Sequence, residues 1–204
     1  MIKKKKIMFI ITDFGFGGAE LITERVCLGL DKNKFDVAIL GMASTGSSAE
    51  KVMLKRLKEN KTNYYLVMRE PGSRYIRLLR EVKRAIREFK PDIIQSTCNM
   101  SDLITCAASV FNKKTQLISR LPNSGYDLGS VERSVRKVIY KRFNHFIAIS
   151  KTVKEWVSEN MGIDKNKITV CYNSIDLKKF KKAVSYTHLR AHETVLDLVC
   201  RLLL

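Results

Sequence analysis

Residues 7–30 read IMFIITDFGFGGAELITERVCLGL. A short apolar run ends at Asp13, a loop carries Gly15, Gly17 and Gly18, and a helical pattern follows. A strand that passes through glycines into a helix is either a simple turn or a loop that presents backbone N–H groups to a ligand. The dinucleotide fingerprint needs Gly-x-Gly-x-x-Gly, so that the chain can approach a pyrophosphate. Gly15 and Gly17 fill its first two positions, but Glu20 stands where the third glycine belongs. The next apolar run, DVAILG, ends at Gly41 and not at an acid able to hold a ribose, which argues against a nicotinamide or flavin site. No Gly-Lys-Ser/Thr follows a glycine loop either, so this is not a P-loop. What remains is a glycine pair, Gly17 and Gly18, at a helix N-terminus whose dipole favours an anion. Asp13 stands beside it at the strand end, as a ligand contact or as a loop cap.

Working outward, the same unit recurs. Short apolar runs rich in β-branched residues occupy 7–12, 36–41, 64–68, 92–95, 116–119, 146–150 and 168–172. They lack strict alternation, as expected of strands buried on both faces. Helical patterns fit 19–30, 73–89, 101–111, 130–143 and 151–161, the last opened by Ser150 as N-cap. In the first of these, Leu21, Ile22, Val26 and Leu30 are expected inward; in the second, Ile76, Leu79, Val82 and Ile86. Strand and helix in alternation predict an α/β fold, a parallel sheet with helices on both faces, with the loops after the strands on one ligand-binding rim.

The 204 residues carry a net charge of +18 and 45% apolar residues, enough for a core and a strong attraction to anions. Nucleic acid is not the expected partner, because the cations are spread over helix faces and not interleaved with aromatics. Five scattered cysteines form no Cys-x-x-Cys pair and no zinc pattern; reduced core thiols in a cytosolic setting are expected. The lysines at 3–6 precede an apolar run too short for a signal peptide, and no run of 18 apolar residues occurs. They keep the strand end soluble or touch anionic lipid. Of three histidines, His145 reads as structural, and no Gly-x-Ser-x-Gly elbow accompanies them.

Four separated stretches share one resemblance. FGFGGAELITERVCLGL at 14–30 resembles the glycine loop and first helix of the retaining, family 4 type of GT-B glycosyltransferase. KPDIIQSTCNMSDLITCAAS at 90–109, NHFIAISKTVKEWV at 144–157 and KITVCYNSIDLKKF at 167–180 are similar to further segments of that family, in the same order. The resemblance implies a Rossmann-like acceptor domain over residues 1–180. In the family a second such domain follows and holds the nucleotide-sugar, and transfer occurs in the cleft between them, usually without a metal. By position, Gly17 and Gly18 would lie against the donor phosphates or the acceptor. Asn173 and Asp176 would sit at the entry to the second domain, and Ser150 and Lys151 would face the cleft. The expected partners are therefore a nucleotide-sugar and a glycan or lipid-linked acceptor, with no separate cofactor, and peripheral contact with an anionic membrane.

Two departures stand out. The family often places a His after the fifth strand, where this chain has SRLPN, with Arg120 and Pro122, so catalytic residues are unassigned. Ser174 also replaces the glycine of the family's NGID. Residues 181–204 resemble no donor domain. SYTHLRAHET at 185–194 is similar to a translated library adapter, and residues 184–204 hold two basic and two acidic side chains, so all of the +18 lies upstream. The expectation is a foreign tail, or a short terminal helix, on an acceptor half that is inactive alone. A rival reading is a non-catalytic module that binds an anion or a partner.

Overall fold

Every side chain from Met8 to Ile11 is buried, which a strand achieves only with cover on both faces. The computed structural model describes residues 3–15, 17–68, 74–97, 99–123 and 129–173. The elements in order are β1 (Lys5–Asp13), α1 (Gly18–Gly29), β2 (Phe35–Ala43), α2 (Ser48–Glu59), β3 (Asn63–Leu66) and α3 (Arg74–Phe89). They continue through β4 (Ile93–Thr97), α4 (Asn99–Ala108), β5 (Gln116–Leu121), α5 (Ser130–Tyr140), β6 (His145–Ala148), α6 (Lys151–Met161) and β7 (Ile168–Val170). All seven strands pair in parallel in the order β3-β2-β1-β4-β5-β6-β7. The winding direction reverses between β1 and β4, so the loops that leave these two strands diverge and open a crevice.

The pleat sorts β1 between two cores. Met8 and Ile10 join Leu40, Ile94 and Leu117 under α3, α4, α5 and α6. Phe9 and Ile11 join Phe14, Ile39, Cys27, Met53 and Leu57 under α1 and α2. Period two thus becomes a continuous apolar run because each face meets its own helices.

Helix α2 is absent from the sequence reading, although Ser47 and Glu50 have the spacing of a capping box. The Ser47 hydroxyl accepts the Glu50 N–H at 3.2 Å. The Glu50 carboxylate accepts from the Ser44 hydroxyl at 2.8 Å and the Thr45 N–H at 2.7 Å. Burial pushes Glu50 up, but the bonds from Thr45, Ser44 and Gly46 outweigh it and hold the acid below its ordinary range.

Two helix faces differ from expectation. On α1 the buried residues are Thr23, Glu24 and Cys27, while Val26 is exposed. Polar burial is partly compensated there: the Thr23 hydroxyl donates to the Ala19 carbonyl at 2.8 Å, and the Glu24 Oε2 pairs with Arg56 at 3.2 Å, while its Oε1 has no hydrogen-bond partner among the described residues. On α3 the buried stripe is Leu78, Val82, Ala85, Ile86 and Phe89, and Ile76 is 65% exposed. The thiol of Cys27 is buried as expected and pushed up to about 12 by burial and then by Glu24, whereas Cys171 is exposed. His145 has its structural role, its Nε2 lying 2.8 Å from the Thr169 hydroxyl across β6 and β7. The boundary at residue 180, the tail at 181–204 and Asp176 lie outside the described residues.

Candidate functional site

The loop from β1 to α1 is anchored by Phe14, which is fully buried with its ring against Gly41. A Cβ at Gly41 would come within 2.9 Å of that ring, so β2 carries glycine there to seat the loop. The Oδ1 atom of Asp13 accepts the Gly15 N–H at 2.7 Å, which makes the half-buried carboxylate a loop cap. Gly17 is the N-cap of α1, with φ −60° and ψ 147° and no side-chain cap. The Glu20 carboxylate folds back into the space a side chain at Gly17 would fill. An acid is thus placed at the positive end of the helix dipole. Gly18 differs: a Cβ there meets nothing within 4 Å among the described residues, and both glycines are exposed.

Across the crevice, the end of β4 rests on a buried polar network that the sequence reading missed. Ser96 and Ser119 are partners in register on β4 and β5. Both hydroxyls donate to Asp102 of α4, at 2.5 and 2.8 Å, and the Tyr140 hydroxyl donates at 3.3 Å. Burial raises the Asp102 carboxyl from 3.8 to about 6, against the pull of those three hydroxyls and of Arg136. Ser101 ties the same corner by donating to the Thr97 carbonyl and accepting the Thr97 N–H at 3.0 Å. Thr97 also lies 3.4 Å from Thr23, joining the β4 end to α1. The sequence signal was the polar run QSTCNMSD at the end of an apolar strand.

Two arginines are buried beside this network. Arg120, at the end of β5, is 6% exposed, and its Nη2 donates to the Asn173 Oδ1 at 2.5 Å, linking the β5 rim to the chain leaving β7. Arg136 is 8% exposed and pairs with Glu132 at 3.1 Å, while its buried Nε has no hydrogen-bond partner among the described residues. With Asn123, Tyr140 and Trp156 they line a small cavity. Ser150 caps α6, its hydroxyl accepting the Val153 N–H at 3.1 Å, and Lys151 begins that helix exposed to solvent.

All the sequence-predicted residues that are described therefore stand at the C-terminal ends of strands: Asp13, Gly17 and Gly18 after β1, Ser150 and Lys151 after β6, Asn173 after β7. Arg120 joins Asn173 directly; Asp13 and Ser150 spend their side chains on backbone N–H groups. A rim with buried guanidinium groups and open glycine backbone suits a polar, anionic ligand. Among the described residues no group of three His, Cys, Asp or Glu side chains could hold a metal.

The model of Glycosyltransferase Family 4 matches residues 16–179. No curated protein matches the chain. Among solved structures, a lipopolysaccharide outer core galactosyltransferase, WaaB, superposes with a TM-score of 0.65 at 21% identity, over 83% of this chain and 46% of that one. HepE of Anabaena, in complex with UDP and glucose, gives 0.67 at 19%, over 85% and 46%. A glycosyltransferase from Rickettsia africae gives 0.67 at 17%, over 87% and 45%. At these identities the likeness concerns the fold: the chain has the architecture of one half of a GT-B enzyme and spans about half the length of the structures it resembles.

Proposed function

The chain belongs to glycosyltransferase family 4, and from that premise we propose that it forms the acceptor-binding domain of a retaining glycosyltransferase. The observation that carries this is the family match over residues 16–179, on a domain whose strand ends gather Gly17, Gly18, Arg120, Ser150, Lys151 and Asn173 on one rim. The full enzyme moves a sugar from a nucleotide-sugar to a glycan or lipid-linked acceptor. Support for the donor class comes from HepE, whose structure holds UDP and glucose. The open backbone at Gly18, and not the side chain of Asp13, is the part of the β1–α1 loop free to meet a substrate, and Ser150 is likewise engaged in capping α6. Arg120, at the end of β5 and near where the family often has His, positions Asn173 at the exit of the domain and offers charge to an anionic group.

Donor binding belongs to a second domain, so residues 1–180 supply one wall of the cleft and the 204-residue chain does not transfer sugar by itself. The basic surface brings this domain to phosphate-bearing acceptors at the cytosolic face of an anionic membrane. The decisive experiment sequences the source gene through and beyond codon 182 and assays the encoded protein with radiolabelled nucleotide-sugars. Transfer by a longer product and none by the 204 residues supports the proposal. Transfer by the 204 residues alone overturns the split of roles. A frame that truly ends at Leu204, or a longer product inert toward every nucleotide-sugar, overturns the transferase reading and leaves the binding module.

A further inference from the structure

Away from the rim, α3 and the end of α4 border a groove of about 830 Å³. Pro91, Asp92 and Thr115 contribute to it at the entries of β4 and β5, at the opposite end of the sheet from the candidate site. Its cations come mainly from one helix: Arg80, Lys83 and Arg87 recur at spacings of three and four, which stacks them along one side of α3, and Lys90 follows just past its end. Lys114 faces them from the loop after α4. Among the described residues no ion pair engages any of these five. The acids nearby are occupied: Glu81 pairs with Arg84, Glu88 accepts from the Tyr65 hydroxyl, and Asp92, which lines the groove, accepts the Lys6 N–H at 2.8 Å.

The same groove exposes large apolar side chains. Phe111 is 92% and Ile76 65% exposed, and both line it. A solvated charged face explains the arginines but not a phenylalanine held in water beside them. Cations that flank outward-pointing apolar side chains match an anionic bilayer, which takes the charge at its headgroups and the hydrocarbon just beneath them.

We propose that the α3–α4 groove is a docking surface for an anionic phospholipid bilayer, with Phe111 and Ile76 entering the interface and Arg80, Lys83 and Arg87 holding the headgroups. This rests on the membrane reading given above and names the surface responsible.

The test is sedimentation of the 204-residue protein with vesicles of phosphatidylcholine alone, and of phosphatidylcholine with 30% phosphatidylglycerol. The wild type should bind only the anionic vesicles, and less so as salt rises. Arg80→Gln, Lys83→Gln and Arg87→Gln combined should weaken partitioning about 100-fold, at about fivefold per cation. Phe111→Ser should weaken it about tenfold, as expected for withdrawing a partly inserted aromatic ring. The control neutralises Lys51, Lys55 and Lys58 on α2, which covers the other core, and should change binding less than fivefold for the same loss of charge. If both triple variants weaken binding equally, or the α3 triple binds like wild type, the groove is overturned while membrane docking stands. If wild type ignores both vesicles, the membrane reading fails with it, and an acidic protein becomes the partner to seek.

Discussion

Asp102 is a carboxyl group held by three hydroxyls in a fully enclosed place, and its proton is therefore a term in the stability of the fold. The folded state keeps that proton up to about pH 6, whereas the unfolded chain releases it near 3.8. Between those values the native state binds more protons, so this group favours folding below pH 4 and progressively less as pH rises through 6. Asp102→Asn cannot titrate. Urea unfolding of both proteins should show the variant gaining on wild type by on the order of 2–3 kcal/mol between pH 4 and pH 7. Parallel pH profiles would remove Asp102 as the source. Cysteine chemistry is a second residue-scale readout. With its thiol pushed up to about 12, Cys27 should resist iodoacetamide in the native protein at pH 8, while the exposed Cys171 reacts within minutes. Peptide mapping by mass spectrometry checks this, and fast labelling of Cys27 would mean that α1 opens readily.

At the scale of elements, the glycines of the β1–α1 unit separate into two kinds. Gly41 is demanded by packing, since a methyl group there would press on the Phe14 ring. Gly41→Ala should cost about 1–3 kcal/mol in urea unfolding, the usual penalty for overpacking. Gly18 is not demanded by packing, because a Cβ would enter open space at the first turn of α1. Gly18→Ala should leave stability unchanged or raise it by up to about 1 kcal/mol. In the complete enzyme it should raise KM for one substrate if the bare backbone faces that substrate; unchanged kinetics would make Gly18 a turn residue only. Ser150→Ala should cost about 1 kcal/mol through loss of the α6 cap.

For the molecule as a whole, both cores close within the described residues, between β1 and β7. We therefore expect a protein cut back to residues 1–180 to unfold within about 3 °C of the 204-residue chain, since about 1 kcal/mol shifts the midpoint by that much at this size. A larger drop in Tm would mean that residues 181–204 contribute to the fold and are not a foreign addition.

Local pattern was sufficient for much of this. Apolar runs separated by helical periods specified seven strands and five of the six α-helices among the described residues, because burial on both faces leaves its mark on every residue of a central strand. The glycine loop and three further stretches carried the family resemblance. Helix α2 was legible in the spacing of Ser47 and Glu50 and in the apolar residues Met53, Leu54 and Leu57, a signal that the sequence reading passed over. Tertiary structure decided the rest. It showed that Glu20 folds toward Gly17, that Arg120 meets Asn173 fifty-three residues on, and that Ser96, Ser119 and Tyr140 converge on Asp102. It also turned Ile76 outward to stand with Phe111 beside a column of arginine and lysine. Sequence periodicity determines which elements form, because each residue's burial is repeated along its own element. Which distant side chains share a site depends on strand order and on the angle at which each helix lies on the sheet, and those are settled only when all the faces pack at once.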